Sequence, residues 1–114
     1  FRFRELLAAD AVDVLQPNVV ITGGFTQCAR IAALAHTYNV PIANGGAWIH
    51  YNMHLQAGMP NGTLVEYHNL AVTAYRQLSD ELTEPKDGWL ELPDRPGLGF
   101  DIKPEAIVEF SRQP

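Results

Sequence analysis

The chain has 114 residues, of which 46% are hydrophobic and 18% charged, with a formal net charge of −5. That is the size and composition of one small globular domain, so disorder is excluded, and Lys and Arg scattered singly argue against a nucleic-acid partner. One cysteine rules out a disulfide framework, and no apolar run approaches the roughly 20 residues that span a bilayer. With no charged-then-apolar segment at the start, the expectation is a soluble, cytoplasmic protein without a membrane partner.

The opening stretch, FRFRELLAA, carries Phe3, Leu6 and Leu7 at i, i+3, i+4 spacing but begins without a cap. It reads as the interior of a helix, so the sequence is expected to be a C-terminal part of something longer. Ala11 to Asn18 is then predicted as a strand, its apolar run Leu15–Asn18 carrying Pro17 near the end, where a lost N–H costs least. Gly23 and Gly24 break its continuation. A helix is predicted over Thr26–Tyr38, with the Thr26 hydroxyl as its cap, Cys28, Ile31, Ala32 and Ala35 on one buried face, and Asn39 as its stop. A short apolar run at Val40–Ala43 follows, completing a βαβ unit. Joining parallel strands through a helix brings their carboxyl ends to one rim, the place where sites are built in such folds. Here those ends are Asn18 and Asn44-Gly45-Gly46. Cys28, on the apolar helix face, is expected to be a buried thiol rather than a reactive one.

Beyond the Gly45-Gly46 loop, Ile49 to Gly58 is predicted as a second helix, ended by Gly58 and Pro60. Asn61-Gly62 is a turn signal before a third strand, Leu64–Tyr67, with Glu66 near its end. Leu70–Leu82 is moderately helical and otherwise a long loop. Trp89–Leu92 alternates like a short strand, the Pro- and Gly-dense PDRPGLGFD reads as ordered loop, and Lys103–Phe110 closes as a short helix with Pro104 in its first turn. Three strand–helix steps with a hairpin-like tail make the fold class α/β.

Two histidines, His50 and His54, share a helix face at the i, i+4 spacing of zinc proteases, and His68 offers a third ligand. The general-base Glu of that motif is missing, so no metal site is assigned to these residues. His54 is expected to pack inward, whereas His50, just past the glycine loop, stays a candidate substrate contact.

The succession QPN…GG…ARIAALA, VPIANGG, MHLQAG, LVEYH and LPDRPGLGFDI resembles the C-terminal part of the mandelate racemase and muconate-lactonising branch of the enolase superfamily. The resemblance implies the end of a (β/α)7β TIM-like barrel over residues 1–83, and over 84–114 a segment returning to an α+β capping domain. It also implies a Mg²⁺-dependent enzyme that abstracts the proton α to a carboxylate, with the metal ligands and the catalytic Lys strand outside this sequence. The partners implied are a small carboxylate substrate, the remaining barrel and cap, and further copies in a homo-oligomer.

Racemase-like members of this family carry an Asp at the end of the sixth strand and a His at the end of the seventh, working as a base. Here the Asp position is matched by Asn18, and the His position falls at Gly45 or Gly46, so no dyad remains. An amide does not stabilise an imidazolium as a carboxylate does. Glu66 matches the acidic residue ending the eighth strand and is the candidate catalytic residue. Asn18, Asn44, Gly45, Trp48 and His50 are the candidate substrate-binding residues. Loss of the second base favours an acid-sugar or hydroxy-acid dehydratase. A dehydratase or epimerase of a cyclic amino acid such as hydroxyproline, and a non-catalytic family member, are the alternatives.

Overall fold

A computed structural model describes residues 2–111. Among the described residues there are five helices: α1 (Arg2–Ala8), α2 (Gly24–Thr37), α3 (Ile49–Gly58), α4 (Asn69–Leu78) and α5 (Pro104–Phe110). They fall in two compact units, one ending at Glu66 and the other beginning at Tyr67.

In the first unit three extended segments run parallel, with Ile42 between Leu15 and Gly62. The Leu15 N–H donates to Pro41 O (3.0 Å) and Ala43 N–H to Leu15 O (2.9 Å). On the other side Ile42 N–H donates to Asn61 O (2.8 Å), Thr63 N–H to Ile42 O (3.0 Å) and Asn44 N–H to Leu64 O (3.1 Å). The order and parallel sense are those expected of the three apolar runs. The closed barrel is not formed within the described residues, which supply only this ladder and its helices.

Two of the three segments pair over a shorter or earlier stretch than the sequence suggests. The first predicted strand, Ala11–Asn18, pairs only through Leu15, because Pro17 has no N–H to give and the chain turns at once, with Ile21 and Thr22 N–H both donating to Asn18 O. The third engages at Asn61–Leu64 rather than beginning at Leu64. Asn61-Gly62 is the expected turn, closed by Gly62 N–H on Met59 O (3.0 Å), and it also enters the ladder, where Gly62 pairs with Ile42. Gly62 is needed there for close approach: a Cβ on it would stand 2.0 Å from the Gln56 carbonyl oxygen of α3.

Helix α2 buries Cys28, Ile31, Ala32 and Ala35, the predicted stripe, in a core completed by Leu7, Leu15, Val19, Ile42 and Leu55. Its start differs from the expectation. Thr26 does not cap it; the N-cap is Gly23 (φ +101°), followed by Gly24 (φ +84°), with no side-chain cap bond, and Gly24 N–H donates to Val19 O at 2.9 Å. The two glycines absorb the left-handed turn, so the helix begins two residues earlier and Thr26 falls inside its first turn. Asn39 (φ +57°) does end the helix as expected, in the left-handed conformation that asparagine tolerates.

In the second unit, α4 resolves the helix-or-loop ambiguity of Leu70–Leu82 in favour of a helix, capped by His68 Nδ1 accepting from Ala71 N–H (3.3 Å). The strand expected at Trp89–Leu92 is absent among the described residues. A single antiparallel pair, Lys86 with Trp89, closes a tight turn whose central residues Asp87 (φ +51°) and Gly88 (φ +83°) are both left-handed. Past Trp89 the chain gains no ladder partner. It is held instead by ion pairs, Arg95 with Glu81 and Asp101 (2.6 Å each) and Lys103 with Asp80 (2.6 Å), while Arg76 pairs with Glu84 ahead of the turn.

Candidate active site

The carboxyl ends of the three parallel segments meet at the loop that joins the middle one to α3. Gly46 (φ +81°), Ala47 (φ +64°) and Trp48 (φ +59°) are three consecutive residues in the left-handed region. For Ala47 and Trp48 that conformation costs on the order of 1–3 kcal/mol each, so something must over-determine it.

Three buried asparagine carboxamides do so. Asn18 Nδ2 donates to Gly45 O (2.8 Å), Gly46 O (3.1 Å) and Ala47 O (3.4 Å). Asn44 Nδ2 donates to Ala47 O (3.2 Å), and Asn52 Nδ2 to Ala47 O (3.1 Å) and Trp48 O (3.0 Å). The opposite ends of these amides are also engaged: Asn18 Oδ1 accepts from Val20 N–H (3.0 Å), Asn52 Oδ1 from Val19 N–H (2.9 Å), and Asn44 Oδ1 from Glu66 N–H (3.0 Å). Such fully satisfied buried networks fix one geometry.

Glu66 is tied to the same loop from the third segment, its Oε2 accepting the Ala47 N–H at 2.9 Å. Its side chain is exposed at the rim. Trp48 is 39% exposed and meets Tyr51 edge-on, with ring centroids 6.4 Å apart. The structure therefore brings together five of the residues singled out in the sequence, Asn18, Asn44, Gly45, Trp48 and Glu66. It places His50 differently, inside α3 and only 3% exposed. Burial first, and His54 second, lower the His50 pKa below the ordinary value, favouring the neutral imidazole. His54 is half-buried.

The two glycines of the loop are tightly set. A Cβ on Gly45 would meet the Gln16 amide at 3.2–3.4 Å, and Gly46 has a φ that strains any side chain. Asn52 escaped the sequence reading. The signal for it was present, a polar residue among the apolar positions of α3, but its partners lie as far as 33 residues away in the chain. Among the described residues no group of three His, Cys, Asp or Glu is placed to hold a metal ion. The residues present do not fit a Mg²⁺ site.

A parallel three-segment ladder flanked by helices carries an acidic side chain at its carboxyl rim, and residues 1–106 match the family described as Enolase C-terminal domain-like. The chain belongs to that family. It is 30% identical over 111 residues to the D-xylonate dehydratase of Haloferax volcanii, covering 94% of this chain and 27% of that protein. It is 31% identical over 123 residues to the D-galactonate dehydratase of Ralstonia pickettii, covering 99% and 32%. Among solved structures, the L-talarate dehydratase of Polaromonas sp. JS666, complexed with Mg and L-glucarate, superposes with a TM-score of 0.80 at 29% identity, over 93% of this chain and 28% of that one. A mandelate racemase/muconate lactonizing enzyme from a marine actinobacterium, in complex with magnesium, gives 0.83 at 30% identity, over 94% and 30%. The chain thus spans about a third of the length of the relatives it matches.

Proposed function

We propose that this chain is the C-terminal barrel segment of a Mg²⁺-dependent dehydratase acting on an acid sugar or related hydroxy acid. The observation that carries the reading is Glu66, a carboxyl held at the carboxyl end of a parallel segment by the Ala47 N–H. The acid-sugar dehydratases among the relatives support the substrate class. Leu64, 72% exposed beside the ladder, and the unpaired outer edge of the Asn61–Leu64 segment fit further strands supplied from elsewhere in the polypeptide, along with the Mg²⁺ ligands. A cytoplasmic setting and a homo-oligomer belong to the same reading.

Dehydration begins with loss of the proton α to the substrate carboxylate, and charge then builds on the carboxylate oxygens. At the rim, the Glu66 carboxyl, protonated on the oxygen that Ala47 does not hold, donates a hydrogen bond to one of those oxygens, and the rigid loop prevents it from relaxing away. Trp48 walls the pocket. Asn18 and Asn44 serve the site by building its floor, since both ends of their amides are taken by backbone, and Gly45 leaves room that a side chain would close. His50 lies buried within α3.

The test is Glu66→Gln in the complete polypeptide, assayed on a panel of sugar acids. Removing one such contact typically lowers turnover about 10²–10³-fold. Unchanged turnover would put Glu66 outside the chemistry, and an inert wild-type protein across the panel would favour a non-catalytic family member.

A further inference from the structure

The 46–47 peptide is bonded at both ends. Its carbonyl, Gly46 O, accepts from Asn18 Nδ2 (3.1 Å), and its N–H, on Ala47, donates to Glu66 Oε2 (2.9 Å). The next peptide is held at Ala47 O by Asn18, Asn44 and Asn52 together. Hydrogen bonds in such chains polarise one another, so the amide at position 18 reaches Glu66 through one peptide unit. We propose that Asn18 and Asn52 are positioning residues, whose carboxamide N–H groups lock the left-handed Gly46–Trp48 loop so that the Ala47 N–H holds the Glu66 carboxyl in its working place. The proposal rests on the role given to Glu66 above.

The chemistry at position 18 is specific. Its side chain must accept at one atom, from Val20 N–H, and donate at the other, toward three carbonyl oxygens. A carboxylate there has no proton to donate and would set a negative charge against those oxygens in a site 3% exposed. A neutral carboxylic acid, by contrast, both accepts and donates once. The same holds at Asn52, fully buried, accepting from Val19 N–H and donating to Ala47 O and Trp48 O. The bonds described join these amides to backbone groups, and Glu66 is the titratable side chain linked to the network by them.

The test compares Asn18→Ala, Asn18→Asp and Asn52→Asp with wild type in the complete polypeptide, reading kinetics against pH and hydrogen exchange of the 45–48 segment. Asn18→Ala should lose about tenfold or more in both exchange protection and kcat, with kcat and kcat/KM falling together, as for a contact that matters in the transition state. Each Asp variant should be impaired at neutral pH and regain activity and loop protection as the pH falls, measured against wild type at the same pH. That acid gain is the mark of a donor, and the Ala variant should lack it. A folded Asn18→Ala with wild-type loop protection overturns the proposal, as do Asp variants whose profiles parallel wild type. Hydrogen exchange needs no substrate, so an inactive wild type would sink the dehydratase reading while leaving the loop lock testable.

Discussion

Gly62→Ala probes the closest backbone approach in the first unit. A Cβ at this position would lie 2.0 Å from the Gln56 carbonyl oxygen, 2.8 Å from its carbon and 2.9 Å from its Cα. Even a close C–H···O contact has C···O of about 3.3 Å, so the strand and the end of α3 would have to separate by roughly 1.3 Å. Neither side yields cheaply. Gly62 N–H is bonded to Met59 O (3.0 Å), and the following Thr63 N–H to Ile42 O (3.0 Å). Overpacking costs about 1–3 kcal/mol, and each ladder bond lost adds about 1 kcal/mol, giving on the order of 3–5 kcal/mol in all. Gly58→Ala is the control: nothing lies within 4 Å of its added Cβ, and an alanine in a helix gains about 0.5–1 kcal/mol over glycine. Urea unfolding of the complete polypeptide, with m unchanged, reads both. Since Gly62 leads directly into the segment bearing Glu66, turnover should fall with stability in the first variant alone. A Gly62→Ala protein within about 0.5 kcal/mol of wild type would refute this account of the Asn61-Gly62 pair.

With Asn18 and Gly45-Gly46 where a racemase-like protein has its second base, the complete enzyme should dehydrate its substrate or exchange the α proton in D₂O with retention. NMR of both epimers showing rapid exchange with inversion would reveal a base on the opposite face. Cys28, buried in α2 with its thiol pushed up by desolvation, should react with thiol reagents only after unfolding, and labelling at the rate of a free thiol in native protein would contradict its burial. Glu84, lowered first by the Tyr67 hydroxyl and then by Arg76, and Glu81, lowered first by Arg95 and then by the Asp101 N–H, should each favour the folded second unit above the ordinary carboxylate range. That contribution should fade as the pH drops through their lowered values, and high salt should weaken it because the pairs are exposed. Proteolysis of the 79–103 segment across pH 3–7 would detect the loosening, and a flat profile would deny it.

Helix positions were legible where one periodicity and one stop signal agreed. The Cys28–Ala35 stripe and Asn39 fixed α2 to within a residue or two, because burial on one face and a left-handed stop are local properties of sequence. Asn61-Gly62 was half legible for a physical reason. The turn closed on Met59 O is local, whereas the close approach of the Gln56 carbonyl to Gly62 and the pairing with Ile42 are tertiary. The missing Asp–His pair could likewise be seen in the residue identities, but not the tight setting of the two glycines, which depends on Gln16 lying against Gly45 and on the φ of Gly46. The site itself was half visible. Asn18, Asn44 and Glu66 stood out as polar residues at strand ends, yet their side chains bond to the backbone of the loop, a direction that no spacing rule carries. What joins them is the backbone of Ala47, whose N–H and carbonyl take four side chains from positions 18, 44, 52 and 66. An alanine offers no sequence signal for such a role, because the chemistry it contributes belongs to every residue in the chain. The left-handed run makes that peptide the centre of the site, and it follows that the residues to alter are the amides that hold it and not Ala47 itself.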